Sequence, residues 1–197
     1  MTLARRLRDA LDIGHGRDVD LHHSDSNVPS DRRDWKPAAV LIAVTDRPDP
    51  GIILTQRPDT MRSHPGQVAF PGGRVDAGDA DSVAAAMREA HEEVGLPRDQ
   101  VQIIGTTDRY RTITGYDITP VIAVVPPDLP LIGNEEVTAI FEPPLSFLLD
   151  PANHRTQRVD WNGAERFYYE LHWQDRRIWG ATAAMIVNLS RRLSWLG

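Results

Sequence analysis

The sequence predicts an α/β fold, a β-sheet flanked by helices within one domain. Short apolar runs bounded by turn residues read as strands at residues 37–45 (PAAVLIAVT), 52–57 (IILTQR), 101–107 and 118–125. Among them lies one amphipathic helix, within residues 71–96, and an apolar helix at 181–196 closes the chain. A length of 197 residues, 41% hydrophobic and 25% charged, suits one domain with a substantial core. No internal repeat or low-complexity tract interrupts it.

Bulk charge narrows the function. A net charge of −6 and an isoelectric point near 5.6 argue against nonspecific attraction to nucleic acid or to an anionic membrane, which rests on clustered Lys and Arg. With zero Cys there is no disulfide framework, thiolate nucleophile or Cys-based zinc site. No apolar run approaches the eighteen or more residues of a membrane span, and the N-terminus lacks a hydrophobic signal core. The expected location is the cytoplasm.

In chain order, residues 2–13 carry Leu3, Leu7 and Leu11 beside Arg5, Arg6 and Arg8, a short amphipathic helix expected to dock on the body of the same domain. Residues 14–36 are polar and read as a linker, with His15, His22 and His23 in no regular ligand spacing. Residues 1–36 are therefore set apart from the domain proper at 37–197. The strands at 37–45 and 52–57, joined by the turn DRPDPG, read as a hairpin. A Pro/Gly loop follows at 58–66, where Arg62 and His64, with Arg57 just before it, are binding candidates. Beyond the central helix, residues 108–116 form a loop whose Arg109 and Arg111 suit phosphate, given the bidentate fit of guanidinium to its oxygens. Glu136 precedes a strand ending at Phe141 and is a second-tier candidate for a base or metal ligand. Residues 144–149 begin a short helix, and the aromatic run Phe167-Tyr168-Tyr169 is expected in the core.

The stretch PGGRVDAGDADSVAAAMREAHEEVGL, residues 71–96, organises the rest. Val83, Met87, Ala90 and Val94 recur at helical spacing; Asp81 or Ser82 caps the start, and Gly95 with Pro97 ends it. At 100° per residue Glu89, Glu92 and Glu93 fall together on another side. Only Glu92 has a cation at helical spacing, Arg88 four residues earlier. Like charges one turn apart cost roughly 0.2–0.5 kcal/mol, so the cluster points to a bound metal. Ala85 and Ala86, one turn earlier, are read as leaving room for a ligand. Hard oxygen donors suit Mg²⁺ or Mn²⁺, which bind one or two carboxylates together with substrate phosphates. Glu89 and Glu93 are the expected metal ligands. Glu92 is either a third ligand or the proton acceptor, and Arg88 orients it.

The run Arg88-Glu89-Ala90-His91-Glu92-Glu93-Val94-Gly95-Leu96, with Gly73 as opening glycine, resembles the Nudix box. It departs from the common box in one place: the loop is one residue longer, with Asp79 as its acid. Leu54-Thr55-Gln56-Arg57, Met61-Arg62, His64, Gly66, Val68 and Phe70-Pro71-Gly72-Gly73 resemble the motif of the coenzyme A pyrophosphatase branch. Thr112, Thr114, Gly115, Tyr116, Thr119-Pro120 and the run Arg176 through Ala183 extend that likeness. The resemblance implies a Nudix-type α/β/α sandwich with a mixed β-sheet. It also implies divalent-metal hydrolysis of the diphosphate of coenzyme A or its thioesters to 3′,5′-ADP and 4′-phosphopantetheine, and it is compatible with a homodimer. The rival readings are a Nudix enzyme acting on ADP-ribose, a dinucleotide or a nucleoside triphosphate, a non-catalytic nucleotide-binding module, and a structural protein with an acidic helix.

Overall fold

The computed structural model describes residues 1–26, 28–29, 31–60, 65–161 and 164–193. Its elements in order are α1 (Leu3–His15), β1 (Lys36–Thr45), β2 (Leu54–Gln56), β3 (Val68–Ala69), β4 (Gly72–Arg74), α2 (Ser82–Val94), β5 (Gln102–Thr106), β6 (Tyr110–Arg111), β7 (Tyr116–Val125), β8 (Ala139–Phe141), α3 (Leu145–Leu149), β9 (Arg155–Trp161), β10 (Ala164–Trp173), β11 (Arg176–Trp179) and α4 (Gly180–Leu193).

The central sheet has the order β4-β1-β7-β5, with β6 also on β7. It is mixed. β1 and β7 run parallel from Lys36 opposite Tyr116 to Thr45 opposite Val125, while β4, β5 and β6 join antiparallel. Both long strands are apolar almost throughout because both faces are covered. With the two-residue alternation of a strand, Ile42, Val44, Ile122 and Val124 enter one core with α1 and α4. Ala39, Leu41, Ala43, Val121, Ala123 and Val125 enter the other with α2. The result is the three-layered α/β class.

The helix α1 is capped by Thr2, and its Leu3, Leu7 and Leu11 are buried in the same core as α4. Among the described residues no helix is long and apolar enough to cross a membrane.

The hairpin expected from β1 and β2 forms only at its turn. Ile53 N–H donates to the Ala43 carbonyl (3.0 Å) and Val44 bridges Ile52, but β2 then turns away to pair with β3 and β8. The edge of β1 from Val40 to Ala38 is occupied by β4 instead, at a separation only glycine permits. A Cβ on Gly72 would lie 2.4 Å from the Ala39 carbonyl oxygen and 2.6 Å from Val40 Cα.

The C-terminal third builds a separate antiparallel sheet, β11-β10-β9, whose strands the sequence reading did not resolve. Its inner face carries Leu171 and Ile178 into the core. The aromatic run divides: Tyr169 packs against the core, whereas Phe167 lies past its edge, 48% exposed. Trp179, opposite Glu170 on the outer face, is 38% exposed and meets Tyr168 edge-on. Glu170 is buried at the middle of that outer face. It accepts bonds from Gln157 Nε2 (2.7 Å) and Arg177 Nε (2.7 Å) and lies 3.1 Å from His172 Nε2. Burial pushes its carboxyl up, but these partners outweigh burial and hold it at about 2.

Two outcomes follow from this packing. Gly72→Ala should lower unfolding free energy by about 1–3 kcal/mol through the forced separation of β4 from β1, measured by urea denaturation. For Glu170, the folded state holds the proton less tightly than the unfolded state, whose carboxyl titrates near 4.5. Its contribution is therefore complete above that pH and is lost as the pH falls toward about 2. The stability gap between the protein and Glu170→Gln should be constant from pH 7 to 5 and should narrow steadily below pH 4.5, read by denaturant midpoints across that range.

Candidate active site

The central helix α2 is fixed at both ends. Asp81 caps it, accepting the Ala84 N–H at 2.8 Å. Gly95, at φ +69, ends it in the left-handed conformation, with its N–H and that of Leu96 returned to the His91 and Ala90 carbonyls. Two further carbonyls are taken by the loop after β7. Ile132 N–H donates to Val94 (3.0 Å) and Asn134 N–H to Glu93 (2.9 Å).

The face turned to the sheet is Ala85, Ala86, Ala90 and Val94. Ala85 and Ala86 do not open space for a ligand, as the sequence reading expected. Both are fully buried, and their small side chains let the helix approach β1 and β4 closely. Met87, expected in the apolar stripe, is only partly buried.

That closeness decides the state of Glu93. The residue is 8% exposed, with Oε2 accepting the Gly72 N–H at 3.0 Å. Burial pushes its carboxyl up to about 7, against the Gly72 N–H and the charge of Arg57; the charges of Glu89 and Glu136 push it further up. Among the described residues Glu93 joins no ion pair. Glu89 is partly buried over the glycine pair. A Cβ on Gly73 would lie 2.5 Å from its carboxyl carbon. Burial raises this carboxyl too, opposed by Arg88.

Arg88 engages all its N–H donors. Nη1 donates to Glu89 Oε1 and Glu92 Oε2, Nε and Nη2 to the two oxygens of Asp79, and Nη2 also to the Arg74 carbonyl, each at 3.0 Å. Glu89 thus has a cation that helical spacing did not reveal, because an Arg one residue before can fold its long stem sideways. Asp79 is the acid that anchors Arg88. Its carboxyl is held low by the Arg88 hydrogen bond first and the Asp76 N–H second.

The remaining candidates separate. Arg57 Nη1 is 3.2 Å from Glu136 Oε2, close enough to Glu93 for both charges to act on it. Arg109 and Arg111 are not brought to these carboxylates by any bond described. Both meet Asp117 Oδ2, at 2.8 and 3.3 Å, and Arg111 also lies 5.1 Å from the Trp35 ring. Asp117 stands opposite Pro37, three residues along β1 from the Val40 that faces Gly72. The signal was present in the sequence: an acid inside an apolar strand needs cationic partners. His22 bonds Asn188 through its backbone N–H and meets the Tyr169 ring edge-on, a structural role. Arg62 and His64 lie outside the described residues.

Among the described residues no three His, Asp or Glu side chains stand close enough to hold a cation together, so Glu89, Glu92 and Glu93 do not form a three-carboxylate cage here. Glu92 points outward, 52% exposed, on Arg88. The fit to a divalent cation rests on Glu93 and Glu89, two adjacent acids both raised by burial, with one oxygen of each accounted for by protein donors.

A family model described as NUDIX domain matches residues 35–179. Proteins named Uncharacterized Nudix hydrolase NudL from Enterobacter sp. (strain 638) and Escherichia coli (strain K12) are 44% and 43% identical over 157 residues, 79% of this chain and 82% of theirs. Among solved structures, the Nudix hydrolase RenU from M. smegmatis aligns at a TM-score of 0.51 and 25% identity, covering 65% of this chain and 81% of that one.

Gly73→Ala separates the glycine pair by function. The three atoms nearest its Cβ all belong to the movable end of Glu89, so stability should change by less than about 1 kcal/mol, while Glu89 is displaced and turnover falls at least tenfold, as a comparison of kcat with the denaturation midpoint will show.

Proposed function

This chain belongs to the Nudix hydrolase family, pyrophosphatases acting on phosphoric anhydrides, and from that premise we propose that it cleaves the diphosphate of coenzyme A or an acyl-coenzyme A. The products would be 3′,5′-ADP and 4′-phosphopantetheine or its acyl form. The reaction type is carried by one observation: Glu93 sits buried beside Glu89 without a guanidinium partner among the described residues, at the strand edge formed by Gly72 and Gly73. The substrate reading is supported by the residues around that edge, Leu54 through Arg57 and Phe70 through Gly73, which resemble the coenzyme A pyrophosphatase branch.

A divalent cation at this site, Mg²⁺ or Mn²⁺, supplies neutralisation of the diphosphate oxygens and acidifies a water. Glu89 and Glu93 would hold it. The Gly72 N–H fixes the rotamer of Glu93, and the contact with Gly73 fixes that of Glu89. Glu92, anchored through one oxygen on Arg88 and more than half exposed, is our choice for accepting the water's proton. Arg88, with its donors taken up by protein, orients Glu89 and Glu92. Arg57, whose charge acts on Glu93, is our choice for meeting a substrate phosphate. Because Arg109 and Arg111 are engaged with Asp117, no contact with the reacting diphosphate is assigned to them.

The test is a substrate panel with purified protein in Mg²⁺ and in Mn²⁺, comparing coenzyme A, ADP-ribose and a dinucleoside polyphosphate. Release of 3′,5′-ADP from coenzyme A should exceed turnover of the other two at least tenfold in kcat/KM. Preference for ADP-ribose or the dinucleotide would replace the substrate while keeping the chemistry. In the same assay Glu93→Gln should cut kcat by several orders of magnitude, with the fold retained because the amide oxygen still accepts the Gly72 N–H.

A further inference from the structure

The polar segment before β1, read from the sequence as a linker, is built onto the sheet and closes a cavity. Ser24 bridges Arg111 in parallel, with Asp25 N–H donating to the Arg111 carbonyl and Arg111 N–H to the His23 carbonyl, both at 2.9 Å. Further along, Trp35 Nε1 donates to the Arg32 carbonyl at 3.0 Å, and Arg32 Nη1 donates to the Ile113 carbonyl at 3.2 Å. Glycine at 115 makes room for this, since a Cβ there would collide with the Arg32 guanidinium. Two guanidiniums then share the Trp35 ring. The Cζ atoms of Arg32 and Arg111 each lie 5.1 Å from its centroid, so at most about 10 Å separates them. Beside them is a cavity of about 230 Å³ whose lining includes His23, Ser24, Pro29, Arg32, Trp35 and Arg111.

Among the described residues, two arginines and no carboxylate line this cavity, in a chain whose net charge is −6. The nearby acids are engaged elsewhere. Asp34, 81% exposed, meets Arg32 Nε at 3.1 Å in a pair that water screens. Asp117 Oδ2 is shared, lying 3.3 Å from Arg111 Nε and closer, at 2.8 Å, to Arg109. Asp25 accepts the Tyr110 hydroxyl and the Ile113 N–H. Among the described residues, Arg32 Nη2, both Nη atoms of Arg111, the His23 ring and the Ser24 hydroxyl donate to no protein acceptor. A guanidinium already held against an aromatic ring loses little freedom when its N–H fork meets an oxyanion, and the fork matches phosphate oxygens in pairs. The volume falls below the roughly 300–1,000 Å³ of a whole-ligand pocket and suits one compact group.

We infer that this cleft binds a phosphate monoester, held by Arg32 and Arg111 with Trp35 as their common support. It is a second anion site, apart from the carboxylates of α2. Arg111 stands opposite Asp117, and Asp117 opposite Pro37; two residues along β1, Ala39 stands opposite Gly73, whose Cβ would meet Glu89. Strand alternation puts these positions on one face of the sheet, with three strand spacings, roughly 14 Å, between β6 and β4. The monoester therefore has two sources, the 3′-phosphate of the proposed substrate or a separate phosphate ligand. Only the first rests on the coenzyme A reading.

The experiment is calorimetric titration of inorganic phosphate into the full chain without divalent ions, with circular dichroism as a check on folding. Phosphate should bind with a Kd of about 1 mM, and Arg32→Gln and Arg111→Gln should each weaken it about tenfold, the scale of one hydrogen bond to a charged group. Where either variant loses its fold, Arg32→Lys or Arg111→Lys takes its place; it keeps the charge but not the fork and should still weaken binding. Arg5→Gln removes the same charge from the exposed side of α1 and should leave binding within about twofold. No binding by the folded chain, binding untouched by either arginine variant, or an equal loss in Arg5→Gln would overturn the inference. A second arm compares kcat/KM for coenzyme A and 3′-dephospho-coenzyme A. A larger drop for coenzyme A in Arg32→Gln makes the monoester part of the substrate, whereas equal effects, with phosphate binding still lost, make it a separate ligand. A chain inactive on both sinks the substrate reading alone, because the titration needs no turnover.

Discussion

Seating the Glu93 carboxyl on a backbone N–H inside the fold imposes most of the other choices around it. An acid taken out of water raises its own pKa unless charge is supplied, and one N–H from Gly72 does not supply enough. To bring that N–H to the end of α2, the strand carrying it must lie tight against β1, which requires glycine at residue 72. The helix must lie tight against both strands, which requires Ala85, Ala86 and Ala90 where a larger side chain would hold it off. The parallel pairing of β1 with β7 over ten residues gives this arrangement a rigid floor.

The surrounding charges are distributed so that, among the described residues, Glu93 joins no ion pair. Arg88 gathers Asp79, Glu89 and Glu92 with a complete set of donors. Asp117 draws Arg109 and Arg111 to another end of the sheet. Glu136 engages Arg57. The chain carries 22 Lys and Arg against 28 Asp and Glu, so cations are the scarcer partner. The substrate of a Nudix hydrolase is itself anionic, and a divalent ion can mediate between it and acidic side chains.

The remainder of the chain supports this centre from behind. The leucines of α1 and the apolar face of α4 fill the core beneath the sheet, and the buried ion pair of Arg192 with Asp108 (2.7 Å) fastens α4 to the start of the β6–β7 segment. The outer face of the C-terminal sheet is held by Glu170 and its partners. That sheet was the part of the fold least visible beforehand: β9 (RTQRVDW) is mostly polar and β10 (AERFYYELHW) mixes charged residues with a run of aromatics, so neither an unbroken apolar run nor a helical period announces them.

What the sequence by itself determined is whatever depends on neighbours along the chain. The limits of α2, its Asp81 and Gly95 caps, the common side shared by Glu89 and Glu92, and the strands β1, β5 and β7 all follow from spacing within a few residues, since turns and pleats repeat over that distance. Only the tertiary structure decided that β2 leaves β1, that Glu93 is buried and that Asp79 belongs to Arg88. It also decided that the loop arginines serve Asp117 and that Glu136 meets Arg57. Each of these is a choice among partners of opposite charge or open strand edges far apart in sequence. Local periodicity carries no information about which of them come within 4 Å, because that distance is set by how the layers pack.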